Sequence, residues 1–166
     1  MDEILIAYAT KHGSTHEVAE AIAARLAAAG VEAHTLAANR VRSLDEYQAV
    51  VLGAPLYMGR WHADARAFLH RFADELADRP LAVFALGPLK DDPEQWEGAR
   101  KQFYAALARF PGVEPVSVGL FGGAIVPETL HFPFSRIPAG DLRDWDAIEE
   151  WSARLPDALG VGALVG

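Results

Sequence analysis

The sequence predicts an α/β protein with a doubly wound, five-stranded parallel sheet in the order 2-1-3-4-5. Three observations lead there. Short apolar runs alternate with segments of helical spacing along the whole chain. The runs Ile4–Ala9, Ala49–Ala54 and Leu81–Leu86 lack period-two alternation, the pattern of parallel strands covered on both faces. The first run passes into its helix through Thr10-Lys11-His12-Gly13-Ser14-Thr15, a turn of hydroxyls around a glycine.

The elements follow in order. Strand one covers about Glu3–Ala9, and helix one about Ser14–Ala29, with Gly30 just past its last turn. Strand two is Glu32–Ala37. Ser43-Leu44-Asp45-Glu46-Tyr47 has a cap-like serine ahead of acids. Strand three is Ala49–Ala54, stopped by Pro55, and helix two is about Ala63–Leu76. Strand four, Leu81–Leu86, is entered through Arg79-Pro80 and left through Gly87-Pro88. Helix three is about Pro93–Ala108 and strand five about Val116–Gly122. A long irregular segment, Gly123–Gly140, precedes a last helix of about Leu142–Leu159. Neither an internal repeat nor a low-complexity linker divides the chain, so residues 1–166 are expected to form one domain.

Composition narrows the function classes. Of 166 residues, 51% are hydrophobic and 23% charged, which suits a globular protein with a substantial core. The net charge of −8 argues against a nucleic-acid footprint or a basic membrane-binding face. The absence of cysteine excludes disulfides, thiolate catalysis and Cys-ligated metal, and is compatible with a reducing cytoplasm, the expected location. Met1-Asp2-Glu3 does not read as a signal peptide, and no apolar run is long enough to span a membrane. The six histidines show no metal-ligand spacing, and no G-x-S-x-G offers a nucleophilic serine. No metal is expected.

Doubly wound sheets bind ligands beyond the carboxyl ends of their strands, where strand order reverses. Here that crevice lies between strands one and three. Thr10–Thr15 flanks it on one side. The turn combines a helix N-terminus, hydroxyl donors and a glycine that lets backbone approach an anion, so it reads as a phosphate cradle; an ordinary capped turn is the plain alternative. On the other side lies Pro55-Leu56-Tyr57-Met58-Gly59-Arg60-Trp61-His62, whose aromatic and thioether faces suit a flat ring. Leu86-Gly87-Pro88 opens a third loop at the same end. Asp91, Asp92 and Glu94 read as an acidic helix start, and Arg66, His70 and Arg71 as a solvated helix face. His131, Phe132 and Phe134 in the irregular segment suggest a substrate wall or a satellite apolar cluster.

Together these blocks resemble the flavodoxin-like family, and within it the flavodoxin-type, menaquinone-dependent protoporphyrinogen oxidases. The resemblance rests on Ile4–Thr15, on Tyr47–Pro55 with Tyr57–His62, and on Gly122-Gly123-Ala124 and Asp144–Ile148. It implies FMN as cofactor. Thr10, Lys11, His12, Gly13, Ser14 and Thr15 would hold its phosphate. Pro55, Leu56, Tyr57, Met58, Gly59, Arg60 and Trp61 would border the isoalloxazine, and Leu86, Gly87 and Pro88 its other edge. It implies an FMN-binding oxidoreductase with a small-molecule or protein redox partner, a porphyrinogen or a quinone among the candidates. A non-enzymatic electron carrier, and a scaffold of the same fold without flavin, are the alternatives. The segment Ile125–Arg143 is shorter and less basic than the insertion of those oxidases, which weighs against a membrane-quinone partner and a porphyrin substrate. Arg60 and His62 in place of acids beside the ring would favour a negatively charged reduced flavin, and so two-electron chemistry.

Overall fold

The computed structural model describes residues 3–10, 13–57, 60–125 and 140–161. In chain order the elements are β1 (Glu3–Tyr8), α1 (Ser14–Ala28), β2 (Glu32–Ala37), a 3-10 turn (Ala38–Arg40), β3 (Ala49–Tyr57), β4 (Arg60–Trp61), α2 (Ala63–Arg71) and α3 (Ala73–Leu76). There follow β5 (Leu81–Leu86), α4 (Pro93–Ala108), β6 (Ser117–Phe121), β7 (Ala124–Ile125), β8 (Gly140–Asp141) and α5 (Trp145–Leu159).

The five long strands lie in the order β2-β1-β3-β5-β6, all parallel. With the short β4 set aside, this is the order 2-1-3-4-5 expected from the sequence. Sheet order reverses between β1 and β3, whose register pairs Ile4 with Ala49 and Tyr8 with Gly53. β5 is buried along its whole length, as its unbroken apolar run requires. β2 alternates exposed and half-buried positions, the signature of an edge strand with one covered face.

Two apolar clusters sandwich the sheet. On one face Leu5, Val50, Leu52 and Val83 pack with Phe68, Leu69 and Phe103 from α2 and α4. On the other, Ile4, Ile6, Val51 and Phe84 pack with Val18 and Ile22 of α1 and with Ile148, Trp151 and Leu155 of α5. Each such fully buried side chain stabilises the fold by about 1.5–3 kcal/mol before entropy is counted.

Three elements differ from the sequence reading. Pro55 does not stop β3. β1 has already ended at that level, so the missing N–H of Pro55 leaves no partner wanting, and its carbonyl accepts from His62 N at 3.0 Å. The expected loop Pro55–His62 is therefore the arm of a hairpin, in which β4 returns antiparallel with Leu56 opposite Trp61 and Tyr57 opposite Arg60. The expected helix Ala63–Leu76 breaks at Phe72, where φ is −109°, although Phe72 N still bonds Phe68 O and Leu76 N bonds Phe72 O. The last helix starts at Trp145 rather than Leu142, because Asp144 caps it by accepting from Ala147 N at 3.0 Å. The acidic start of α4 is as expected: Asp92 accepts from Gln95 N at 2.9 Å.

Candidate functional site

The carboxyl end of β1 is stitched to β3, and that of β5 to β6, before any ligand is considered. Ala9 N donates to Gly53 O at 2.9 Å, tying the turn after β1 to β3. Gly87 N donates to Phe121 O at 2.6 Å, and Gly123 N to Pro88 O at 3.0 Å. Gly123 must lack a side chain, since a Cβ there would press on the Gly87 carbonyl.

The turn after β1 departs from an ordinary capped turn. Thr10 Oγ1 accepts from Gly13 N at 2.8 Å, so this hydroxyl folds the turn instead of capping the helix. Gly13 occupies the N-cap position with φ 84°, a left-handed conformation in which glycine carries no Cβ penalty, and no side chain caps α1. The first-turn N–H groups therefore lack the usual acceptor. Ser14 is 6% exposed and Thr15 fully buried, and Thr15 Oγ1 has no hydrogen-bond partner among the described residues. A buried hydroxyl without a partner is unfavourable by about 1–3 kcal/mol, so this position is suited to an acceptor such as a phosphate oxygen. Lys11 and His12 lie outside the described residues.

Arg143 is the residue that sequence reasoning missed. It follows β8, its side chain is only 6% exposed, and it forks onto Asp141 with Nε–Oδ1 3.0 Å and Nη2–Oδ2 2.8 Å. Nη1 reaches the first turn of α1, donating to Ser14 O at 3.3 Å and lying 3.4 Å from Glu17 Oε2. The guanidinium holds the Asp141 carboxyl below the ordinary carboxylate range, chiefly through these hydrogen bonds, and is itself held further toward the charged form. Asp-x-Arg directly before a helix cap was the available signal.

The second loop holds residues of different burial. Trp61 does not border it. Its ring is fully buried, Nε1 donates to Ala54 O at 3.0 Å, and it packs on Phe103 at a centroid distance of 5.1 Å. The indole N–H needs an acceptor once buried, and the strand carbonyl supplies it, so Trp61 anchors the hairpin to the core. Leu56 packs partly buried on the same core face. Arg60 is exposed and Pro55 half-buried. Tyr57 ends β3, and Met58 and Gly59 lie outside the described residues. His62 caps α2: Nδ1 accepts from Asp64 N at 3.0 Å, a role that requires that nitrogen to be unprotonated.

In the third loop Leu86 and Pro88 are buried, and only Gly87 is partly open. On the expected solvated face of α2, His70 and Arg71 are exposed and Arg66 is half-buried, and the two arginines also bond backbone. Arg71 Nη2 donates to Ala38 O at 3.1 Å and Val41 O at 3.0 Å, and Arg66 Nε to Trp61 O at 3.0 Å, so both cations fasten backbone. His131, Phe132 and Phe134 lie outside the described residues.

The strand pairing Glu3–Glu32 brings Glu3, Glu32 and His34 together, with one ligand atom of each within 4.8 Å of the others, a proximity that linear spacing does not reveal. This surface cluster lies at the amino end of the sheet, away from the crevice. Among the described residues no helix is long and apolar enough to cross a membrane.

The flavodoxin domain model matches residues 5–137. A curated relative, the protoporphyrinogen IX dehydrogenase [quinone] of Escherichia coli, is 28% identical over 93 residues, which are 55% of this chain and 51% of that protein. The chain thus spans about half the length of the curated relatives it matches. Among solved structures, a flavodoxin from Pseudomonas aeruginosa superposes with TM-score 0.60 at 22% identity, covering 95% of this chain and 99% of that one. Oxidised Flavodoxin 2 from Bacillus cereus does so with TM-score 0.59 at 25% identity, covering 95% and 97%. The flavodiiron protein from Giardia intestinalis gives TM-score 0.59 at 13% identity over 96% of this chain and 36% of that one.

Proposed function

Because this chain belongs to the flavodoxin domain family, we propose that it binds FMN at the crevice between β1 and β3 and acts as an FMN-dependent oxidoreductase. The observation that carries the reading is the start of α1: an uncapped helix N-terminus at Gly13 beside a buried, unpartnered Thr15 hydroxyl. Such a start fits a phosphate monoester, whose oxygens accept from several N–H and O–H donors at once.

FMN supplies the redox chemistry when bound. The chain's own residues do the rest. In this reading Thr10 folds the turn, Gly13 leaves it open, and Ser14 and Thr15 with the first-turn N–H groups hold the phosphate. Lys11 and His12, which lie outside the described residues, are proposed as further phosphate ligands. Arg143 holds that turn through Ser14 and balances the charge of Glu17. Tyr57 and Arg60, paired across the β3–β4 hairpin, are proposed to border the ring together with Met58 and Gly59, which follow Tyr57 in sequence, and Trp61 is the hairpin's buried anchor. Gly87 presents the opposite edge. Arg60 places positive charge where a reduced ring becomes negative, which supports two-electron transfer.

The partial match to a protoporphyrinogen dehydrogenase supports a porphyrinogen and a quinone as the first substrate pair to assay. A second reading, an electron carrier for a protein partner, is favoured by coverage. The solved flavodoxins align over nearly their whole length, and the dehydrogenase over about half of its own.

The test is an absorbance and fluorescence titration of the purified protein with FMN and, in parallel, with riboflavin. Micromolar or tighter FMN binding with much weaker riboflavin binding is the expected result. Indifference to FMN would leave only the scaffold reading. Reductive titration of the complex then separates the two redox readings, by reduction in one step or in two.

A further inference from the structure

A second cleft lies where the β3–β4 hairpin meets α2 and α4. Its volume is about 340 Å³, and its apolar floor is formed by Ala105 and Ala106, with Trp61 fully buried behind them. Its rim carries Arg60, Arg66, Lys101 and Arg109, and no acid lines it. The chain as a whole has a net charge of −8, so four cations around one concavity run against its average. Among the described residues no ion pair involves Arg60, Lys101 or Arg109. Arg66 is held in place by its bond to the Trp61 carbonyl, with the rest of its fork unspent on any other described partner.

We infer that this cleft binds an organic polyanion, a molecule with an apolar body and two or more separated carboxylate or phosphate groups. Each part of the description has a physical source. Mutual repulsion among clustered cations is relieved by an anion, and a concave low-dielectric wall strengthens that attraction. The volume lies in the range of small-molecule pockets, roughly 300–1,000 Å³. Lys101 and Arg109 stand eight positions apart along α4, about 12 Å at 1.5 Å per residue, so one compact ion does not span the rim. The apolar floor offers a place for hydrocarbon or ring surface between the charged ends. Arg60 belongs also to the hairpin assigned above to the flavin border. The binding site itself stands without the FMN reading.

The test uses pyranine, a flat aromatic trisulfonate, in a fluorescence anisotropy titration of the purified protein. Saturable binding is expected, weakened at least tenfold in a Lys101→Glu/Arg109→Glu double variant. Arg154→Glu, an exposed charge reversal on α5, is the control and should bind as wild type. Circular dichroism checks that each variant is folded. Gly13→Asp, which blocks the phosphate turn, should keep pyranine binding, so failure of one site is distinguishable from failure of the other. Displacement by ATP assigns the natural groups as phosphates, and displacement by citrate as carboxylates. The inference is overturned by absence of saturable binding, by equal loss in Arg154→Glu, by an unaffected double variant, or by displacement with neither competitor.

Discussion

Arg143 Nη1 meets the carbonyl oxygen of Ser14 at 3.3 Å, joining the segment before α5 to the first turn of α1. The same guanidinium is forked on Asp141 and lies beside Glu17. Removing it would leave two acids uncompensated at the helix start, where phosphate is proposed to bind. Arg143→Ala should lower stability by about 1–3 kcal/mol, read from urea unfolding. It should also weaken FMN more than riboflavin, which lacks the phosphate. Arg143→Lys should recover only part of both, because an ammonium cannot form the fork.

Thr15→Val separates stability from binding by sign. Valine matches the shape of threonine and removes the buried hydroxyl that has no partner. The ligand-free protein should become more stable, by up to about 1–3 kcal/mol. FMN affinity should fall, by roughly tenfold for one lost hydrogen bond to a charged acceptor. Thermal denaturation and flavin titration of the same preparation check both directions, and a loss of stability would mean that the hydroxyl is satisfied after all.

Gly13→Asp should abolish FMN binding while leaving a folded protein. The left-handed φ of 84° is tolerated by aspartate at a cost on the order of 1 kcal/mol, and its carboxylate would stand against the phosphate. Unchanged flavin affinity would move the phosphate site elsewhere.

Trp61→Ala should destabilise by about 3–5 kcal/mol, as for other large buried aromatics, and Trp61→Phe by less. The phenylalanine variant keeps a ring against Phe103 but loses the indole donor to the Ala54 carbonyl. A wild-type urea midpoint for Trp61→Ala would show that the hairpin is held by something else.

The pH dependence of stability should carry a mark of Asp141. Hydrogen bonds from Arg143 lower its folded-state pKa, so its contribution is present above the unfolded value of about 3.9 and is lost as pH falls through the lower folded value. Asp141→Asn should be less stable than wild type at neutral pH, by under about 1 kcal/mol because the carboxylate is half exposed. The gap should close toward the acid limb of a urea-midpoint profile. A gap independent of pH would exclude the ion pair as its cause.

The frame was legible because its signals are local. β5 and α4 match their sequence bounds, since an unbroken apolar run and the Asp92 cap with Pro93 announce them without help from the rest of the chain. Pro55 misled because proline's effect depends on whether a neighbouring strand needs its N–H, and β1 ends first. Trp61 misled for a related reason: an aromatic in a loop looks like a ligand wall until the hairpin turns it inward onto Phe103. Arg71 and the pairing of Glu3 with Glu32 join residues far apart in sequence, so spacing carried no trace of them, and for Arg143 only its local fork on Asp141 was readable, not its reach to Ser14. Within the phosphate turn, the residue types were readable, but the division of labour was not. Thr10 shapes the turn, Gly13 takes the cap position, and Thr15 keeps its hydroxyl unspent.

The two-residue ladder of Ala124–Ile125 with Gly140–Asp141 makes the frame indifferent to how much chain lies between its strands. Both ends of that stretch are fixed side by side, so β6 and α5 receive the same geometry whatever the connection. Closure entropy rises only logarithmically with length, about 0.6 kcal/mol for each doubling. Natural variants of this fold can therefore gain or lose sequence at this point as a module, and an epitope or a fluorescent reporter can be spliced in there while the phosphate turn keeps its shape.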